Sequence, residues 1–264
     1  MADHRAIADP EASHFQPIVR TIGMADLRDA LISGLADFKA MPTHLIFLCF
    51  IYPIVTLVAA RIYAGYEVLP LVFPLLAGYT LIGPLVAIGM YELSRRREQG
   101  LDISRAHAFD VLRFPSLRSI AMLGVMLMVI YFVWLVVAQA IYEQTFGGAV
   151  PESIAAFARQ VLTTPAGWTL IVVGSGVGFL FAVVVFAFSV VSFPMLLDRN
   201  VGVMTAVQTS IRAVAANPVT MAAWGVIVAG VLFLGSVPFF VGLAVARPVL
   251  GHATWHLYRK VVVR

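Results

Sequence analysis

GPLVAIGMYELSRRREQG, residues 83–100, decides the fold. An apolar run continues past Pro84 and ends in three consecutive arginines, Arg95 to Arg97. A stretch of the same build closes the chain, RPVLGHATWHLYRK from Arg247 to Lys260. Laid together, Pro84 falls on Pro248, Tyr91 on Trp255, Leu93 on Leu257, and Arg95-Arg96 on Arg259-Lys260. An apolar helix that ends in a basic cluster is a membrane span leaving on the cytoplasmic side. The chain is a set of apolar hairpins hung on these basic exits.

Composition agrees. The 264 residues are 61% apolar and 12% charged, with a mean hydropathy of +0.92. Soluble domains carry about twice that share of charge. Several runs exceed the roughly 18 apolar residues needed to cross a hydrocarbon core. In a membrane protein the net charge of +4 reports topology, so a nucleic-acid partner is not implied. The polar start lacks the basic-then-apolar pattern of a cleavable signal peptide, so the first apolar run is expected to remain as a span. Cys49 is the lone cysteine, and no internal disulfide can form.

Residues 1–20 read as a flexible tail, and residues 21–264 as one membrane domain. Leu27, Leu31, Leu35 and Phe38 recur at helical spacing, with Asp26, Arg28, Asp29 and Asp37 facing away. That pattern predicts an amphipathic surface helix ending at Pro42. Spans are predicted over Thr43 to Tyr63, about Val68 to Leu93, Leu117 to Tyr142 and Gly167 to Leu197. The loop after span two is expected to hold a short helix capped by Asp102 or Ser104. SIAAFARQVL, from Ser153, predicts an interfacial helix on the opposite side, and Trp168 an interface anchor. The apolar stretch from Pro218 almost to Tyr258 is about twice the length of one crossing, so it must fold into two helices, with a turn near Gly235-Ser236-Val237-Pro238.

Lysine and arginine concentrate in the N-terminal segment, after spans two and four, and at the C-terminus. The positive-inside rule then predicts six spans, with both termini cytoplasmic in a bacterial inner membrane. Val203, Val207, Ile211 and Val214 repeat the spacing of Leu27 to Phe38, and Pro218 follows as Pro42 does. Ile103, Val111 and Phe114 fit the same frame, although His107 takes one apolar position. Three units follow, about 23–97, 102–198 and 202–260, each a cytoplasmic-side amphipathic helix and a two-helix hairpin.

Charge inside a span is the strongest pointer to a functional site. Glu92 and Arg247 lie within spans two and six, and Arg247 calls for an ion pair with Glu92 or Asp198, an aqueous cavity, or a lipid phosphate. Gly174, Gly178 and Ala182 form a small-residue face for close helix packing. His252, Trp255, His256 and Arg259 form one helical stripe, matched on span two by Tyr91 and Arg95, with Asp198 at the same level on span four. These seven predict a shallow cytoplasmic pocket whose basic rim suits an anionic lipid head group or a partner's acidic helix. His252 and His256 have metal-sharing spacing, but no HExxH glutamate or obvious third ligand accompanies them, so neither metal nor cofactor is expected. No Ser/His/Asp set, paired buried carboxylates or CxxC is evident.

RTIGMADLRDALISGLADFKAMPTHLIFLCFIYP (residues 20–53), GPLVAIGMYELSRRRE and PVLGHATWHLYRK together resemble an uncharacterised bacterial family of integral membrane proteins, known as a domain of unknown function. Some members carry labels resembling cytochrome c oxidase subunit I. This chain departs from that label, because spans two to five contain no histidine to ligate haem. The resemblance implies a six-span fold and supplies no catalytic residues. The expected role is a non-enzymatic scaffold or assembly partner of a membrane complex, such as a respiratory one. One rival is a small-solute transporter using Tyr79, Thr80, Gln139, Ser175, Ser189 and Ser192. Another is an enzyme acting on lipid at the interface through His252, His256 and Asp198.

Overall fold

The computed structural model describes residues 17–43, 54, 61–62, 65–81, 83, 87–237 and 240–263. The tail up to residue 16, nearly all of the first expected span, Cys49 and Pro84 lie outside them. About four-fifths of the described residues are helical. Helix α1 covers Met24–Ala40, α2 Leu69–Leu81, α3 Ile88–Glu98, α4 Leu117–Phe146 and α5 Ile154–Thr163. They are followed by α6 (Pro165–Ser189), α7 (Ser192–Asp198), α8 (Val203–Ala216), α9 (Pro218–Ser236) and α10 (Leu243–Val261). A 3₁₀ helix, Arg105–Arg113, links α3 to α4.

Among the described residues, three segments are long and apolar enough to cross a membrane: Leu117–Phe146, Pro165–Asp198 and Pro218–Ser236. Their outer faces carry exposed Val125, Val136, Val172, Phe179, Val226 and Phe233, a belt suited to lipid rather than water. The expected fourth span is broken. Its helix stops at Ser189 and restarts at Ser192, because Pro194 cannot donate to the carbonyl of residue 190 and its ring crowds that group. The last apolar stretch is two helices, as its length requires, and Gly235 and Gly242 pack backbone to backbone at the bend. A Cβ on Gly242 would lie 2.7 Å from Gly235 Cα.

Local chemistry explains the ends of the elements. Ser104 caps the 3₁₀ helix by accepting from Ala106 N, while its own N–H donates to His107 Nδ1. His107 therefore fails the apolar repeat because it serves a cap. Gly100, at φ +68°, ends α3 in the left-handed region where glycine meets least resistance. Ser153 and Thr164 accept at the starts of α5 and α6.

Helix α1 is rotated from the expected orientation. Leu27, Ala30, Gly34 and Asp37 form its buried face, whereas Leu35 is exposed. The cause is close packing on α10. A Cβ on Gly34 would lie 2.5 Å from Ala253 N, so only a stripe of small residues lets the two backbones come together. Helix α8 has the same arrangement, with Ala206, Ser210 and Ala213 buried and Ile211 exposed. The contacts form a ring: α1 packs on α10, the 3₁₀ helix on α3, and α8 on α6 and α7. The chain ends meet as well. Val19 pairs antiparallel with Val262, Arg20 N–H donates to Val261 O, and Val263 N–H donates to Ile18 O. Asn217 fastens this end to the α8–α9 junction, accepting from Ile22 N–H and donating to Arg20 O.

Candidate functional site

The polar residues gather at one end of the bundle, where α3, α7 and α10 come together beneath α1. They divide into a buried knot and an open cleft.

The knot centres on Asp37, which is 5% exposed. Its Oδ2 accepts from Ser94 Oγ at 2.5 Å and His256 Nε2 at 2.8 Å, and its Oδ1 accepts from Arg97 Nη1 at 2.7 Å. Ser94 Oγ also lies 2.8 Å from His252 Nδ1. A hydroxyl has one proton, and here it goes to the carboxylate. Nδ1 of His252 must then donate to the serine oxygen. Burial would raise the Asp37 pKa, but the hydrogen bonds from His256 and Ser94 and the nearby imidazoles outweigh it and hold the group below the ordinary carboxylate value.

Ser94, His252 and Asp37 thus form a set of the residue types that the sequence did not reveal as a constellation. Its order is wrong for nucleophilic catalysis, which requires the imidazole to accept the serine proton and the carboxylate to orient the imidazole. Ser94 and His252 are also almost wholly buried, at 1% and 0% exposed. The knot is a fastening of α1 to α3 and α10. Among the described residues, no group of three or more His, Cys, Asp or Glu is placed to hold a metal.

The cleft, with a volume of about 510 Å³, is lined by Arg95, Glu98, Gln99, Asp198, Arg199, Trp255 and Arg259. Arg259 bridges Glu98 Oε1 at 3.2 Å and Asp198 Oδ2 at 3.1 Å. Tyr258 OH donates to the same Asp198 oxygen at 2.7 Å, and Trp255 Nε1 donates to Glu98 Oε2 at 3.1 Å. Arg95 is held by Glu92 through Nε at 2.7 Å and Nη2 at 3.0 Å, with its Cζ 5.3 Å from the Phe114 ring centroid.

The seven residues predicted to share one pocket are therefore divided. Arg95, Asp198, Trp255 and Arg259 line the cleft, His252 and His256 belong to the knot, and Tyr91 is buried in the apolar core. Glu92 pairs with Arg95 and Arg96, and Asp198 with Arg259 and Arg199. Arg247 itself is buried. In the small-residue face, a Cβ on Gly178 would lie 3.0 Å from the Trp134 ring, whereas nothing lies within 4 Å at Gly174. Ala182 is half-buried beyond them. Sequence reasoning missed Asp37, Ser94, Arg97, Glu98 and Arg199. Asp37 was hidden by the assumption that an acid on an amphipathic helix faces water.

Helices of this length and apolarity, with an apolar belt facing outward and their polar groups gathered at one end, define an integral membrane protein. Residues 72–198, from α2 to α7, match the model of a family described as predicted integral membrane protein (DUF2189), in keeping with the uncharacterised membrane family that the sequence resembles. No curated protein and no solved structure matches the chain.

Proposed function

We propose that the protein is a non-enzymatic scaffold or accessory protein of the bacterial inner membrane, with six spans in three hairpin units and both termini cytoplasmic. The observation that carries this reading is the knot. Its ionisable and hydroxyl groups bind α1, α3 and α10 to one another and present no open nucleophile or acid–base pair. A face fastened this way is a rigid platform for a neighbouring membrane protein.

The pairing of Val19 with Val262 supports an even number of crossings, because it holds the two ends together. Among the described residues three helices qualify by length and apolarity, so a total of six calls for further crossings from residues 43–63, from α2 with α3, and from α10. Two features support the threefold repeat. Each surface helix packs on the exit helix of the preceding unit around the ring. In addition, the register that lays Pro84 on Pro248 lays Gly89 on Ala253, and both meet a surface helix at close range. A Cβ on Gly89 would lie 2.9 Å from Ala108 O.

The transporter reading finds less support. Ser175 faces outward, Ser192 donates to Phe188 O of the preceding turn, and Gln139 donates to Glu143 on its own helix. The side chains of Tyr79 and Thr80 lie outside the described residues.

Extraction from native membranes in mild detergent tests the proposal. A stoichiometric membrane-protein partner is expected. An isolated monomer carrying a bound small solute would favour transport, and turnover of added lipid would favour an enzyme.

A further inference from the structure

Three helices from different parts of the chain each deliver one arginine to the cleft: Arg95 at the end of α3, Arg199 just after α7, and Arg259 on α10. All three are arranged about Asp198. Arg259 Nη1 is 3.1 Å from its Oδ2, Arg199 Nε is 3.7 Å away, and the carboxylate charge acts on Arg95. Among the described residues Glu98 is the only other acid in the lining, and Glu92 holds Arg95 from outside it. The guanidiniums are also held in place. Arg95 is clamped by Glu92 and covered by Phe114, and Arg259 lies 6.0 Å from the Trp255 ring centroid. Groups fixed before the ligand arrives lose little entropy on binding it.

We propose that this cleft is a binding site for a phosphate monoester. A guanidinium offers five N–H donors in a rigid fork that fits phosphate oxygens. The hydrogen bonds from Arg95 to Glu92 use two of its five. A monoester presents three terminal oxygens and close to two negative charges near neutral pH, one oxygen for each arginine. A diester presents only two such oxygens and one charge, so it matches the set less well. The cleft volume of about 510 Å³ exceeds a phosphate group and leaves room for the esterified alcohol. Asp198 occupies the centre of the arginines, so the ligand competes with its carboxylate. This inference goes beyond the scaffold reading and does not depend on it. The phosphate could belong to a lipid head group or to a soluble ester, and the chemistry of recognition is the same.

The test uses the full chain in phosphatidylcholine nanodiscs. One arm measures retention of phosphatidic acid against phosphatidylcholine by native mass spectrometry. The other measures thermal stabilisation by inorganic phosphate against chloride at equal ionic strength. Preference for phosphatidic acid assigns the lipid source, and stabilisation by phosphate without lipid preference assigns a soluble one; either supports the proposal. Asp198→Asn retains an acceptor for Tyr258 and removes the competing charge, so binding should tighten about tenfold, a difference of about 1.4 kcal/mol. Arg259→Gln should weaken it by a similar factor, and Arg199→Gln gives the same reading if the first variant does not fold. Equal retention of both lipids together with no phosphate effect would overturn the proposal, as would an Asp198→Asn variant that binds no better than wild type.

Discussion

Gly34→Ala is the smallest change that tests how the surface helix is held. Alanine should favour an isolated helix by about 1 kcal/mol over glycine. At this position the added carbon would lie 2.5 Å from Ala253 N and 2.7 Å from Ala253 Cα. That is about 1 Å inside ordinary van der Waals separation, and the obstacle is backbone that cannot rotate away. Helix α1 must lift from α10. Asp37 lies one turn further along the same face, so lifting also stretches its 2.5 Å bond from Ser94 and its 2.8 Å bond from His256. Overpacking costs about 1–3 kcal/mol, and each hydrogen bond to a charged group contributes about 1.5–3 kcal/mol. With the two stretched bonds weakened by about half and the propensity gain subtracted, the net loss should be about 1.5–5 kcal/mol. Thermal unfolding in detergent, followed by circular dichroism, should show a clear fall in the midpoint, and amide hydrogen exchange should accelerate along α1. Gly174→Ala is the control, because nothing lies within 4 Å of that position. A Gly34→Ala midpoint equal to or above wild type would refute the close docking of α1 on α10.

The pH dependence of the knot follows from Asp37. Its folded pKa is depressed, so its contribution is present above the unfolded value of about 3.9 and is lost as pH falls through the folded value. The melting-temperature gap between wild type and Asp37→Asn should be widest above about pH 5, begin to narrow near about pH 4 and close only as pH falls through the lower folded value; a gap independent of pH would contradict the assignment. On α6, Gly178→Leu should lower thermal stability by displacing the Trp134 ring, which donates to Pro74 O, whereas Gly174→Leu should leave it unchanged. Equal effects at the two glycines would mean that the face does not pack as described.

The sequence made the membrane class, the helices before Pro42 and Pro218 and the division of the last apolar stretch legible, because hydropathy, periodicity and helix length are local properties. It also brought Arg95, Asp198, Trp255 and Arg259 to one level, since the basic exits mark depth in a bilayer. Rotation about a helix axis was less accessible. Leu35 and Ile211 fit an apolar period yet face outward, because close packing at Gly34 and the small neighbours of Ser210 rotates both helices. The same rotation buries Asp37. Its partners Ser94 and His256 are 57 and 219 residues away in the chain, so no spacing rule could have joined them. The stripe of His252 and His256 was visible, but whether it faced a pocket or a neighbouring helix depended on where α1 lay.

The scaffold reading depends above all on a surface end assembled on one side of the membrane from both chain ends. Paired reporter fusions, one active only in the cytoplasm and one only in the periplasm, test this at the N-terminus, the C-terminus and the 147–152 loop. Both ends should report cytoplasmic and the loop periplasmic, in keeping with the pairing of Val19 and Val262. Ends that report from opposite sides would contradict the account.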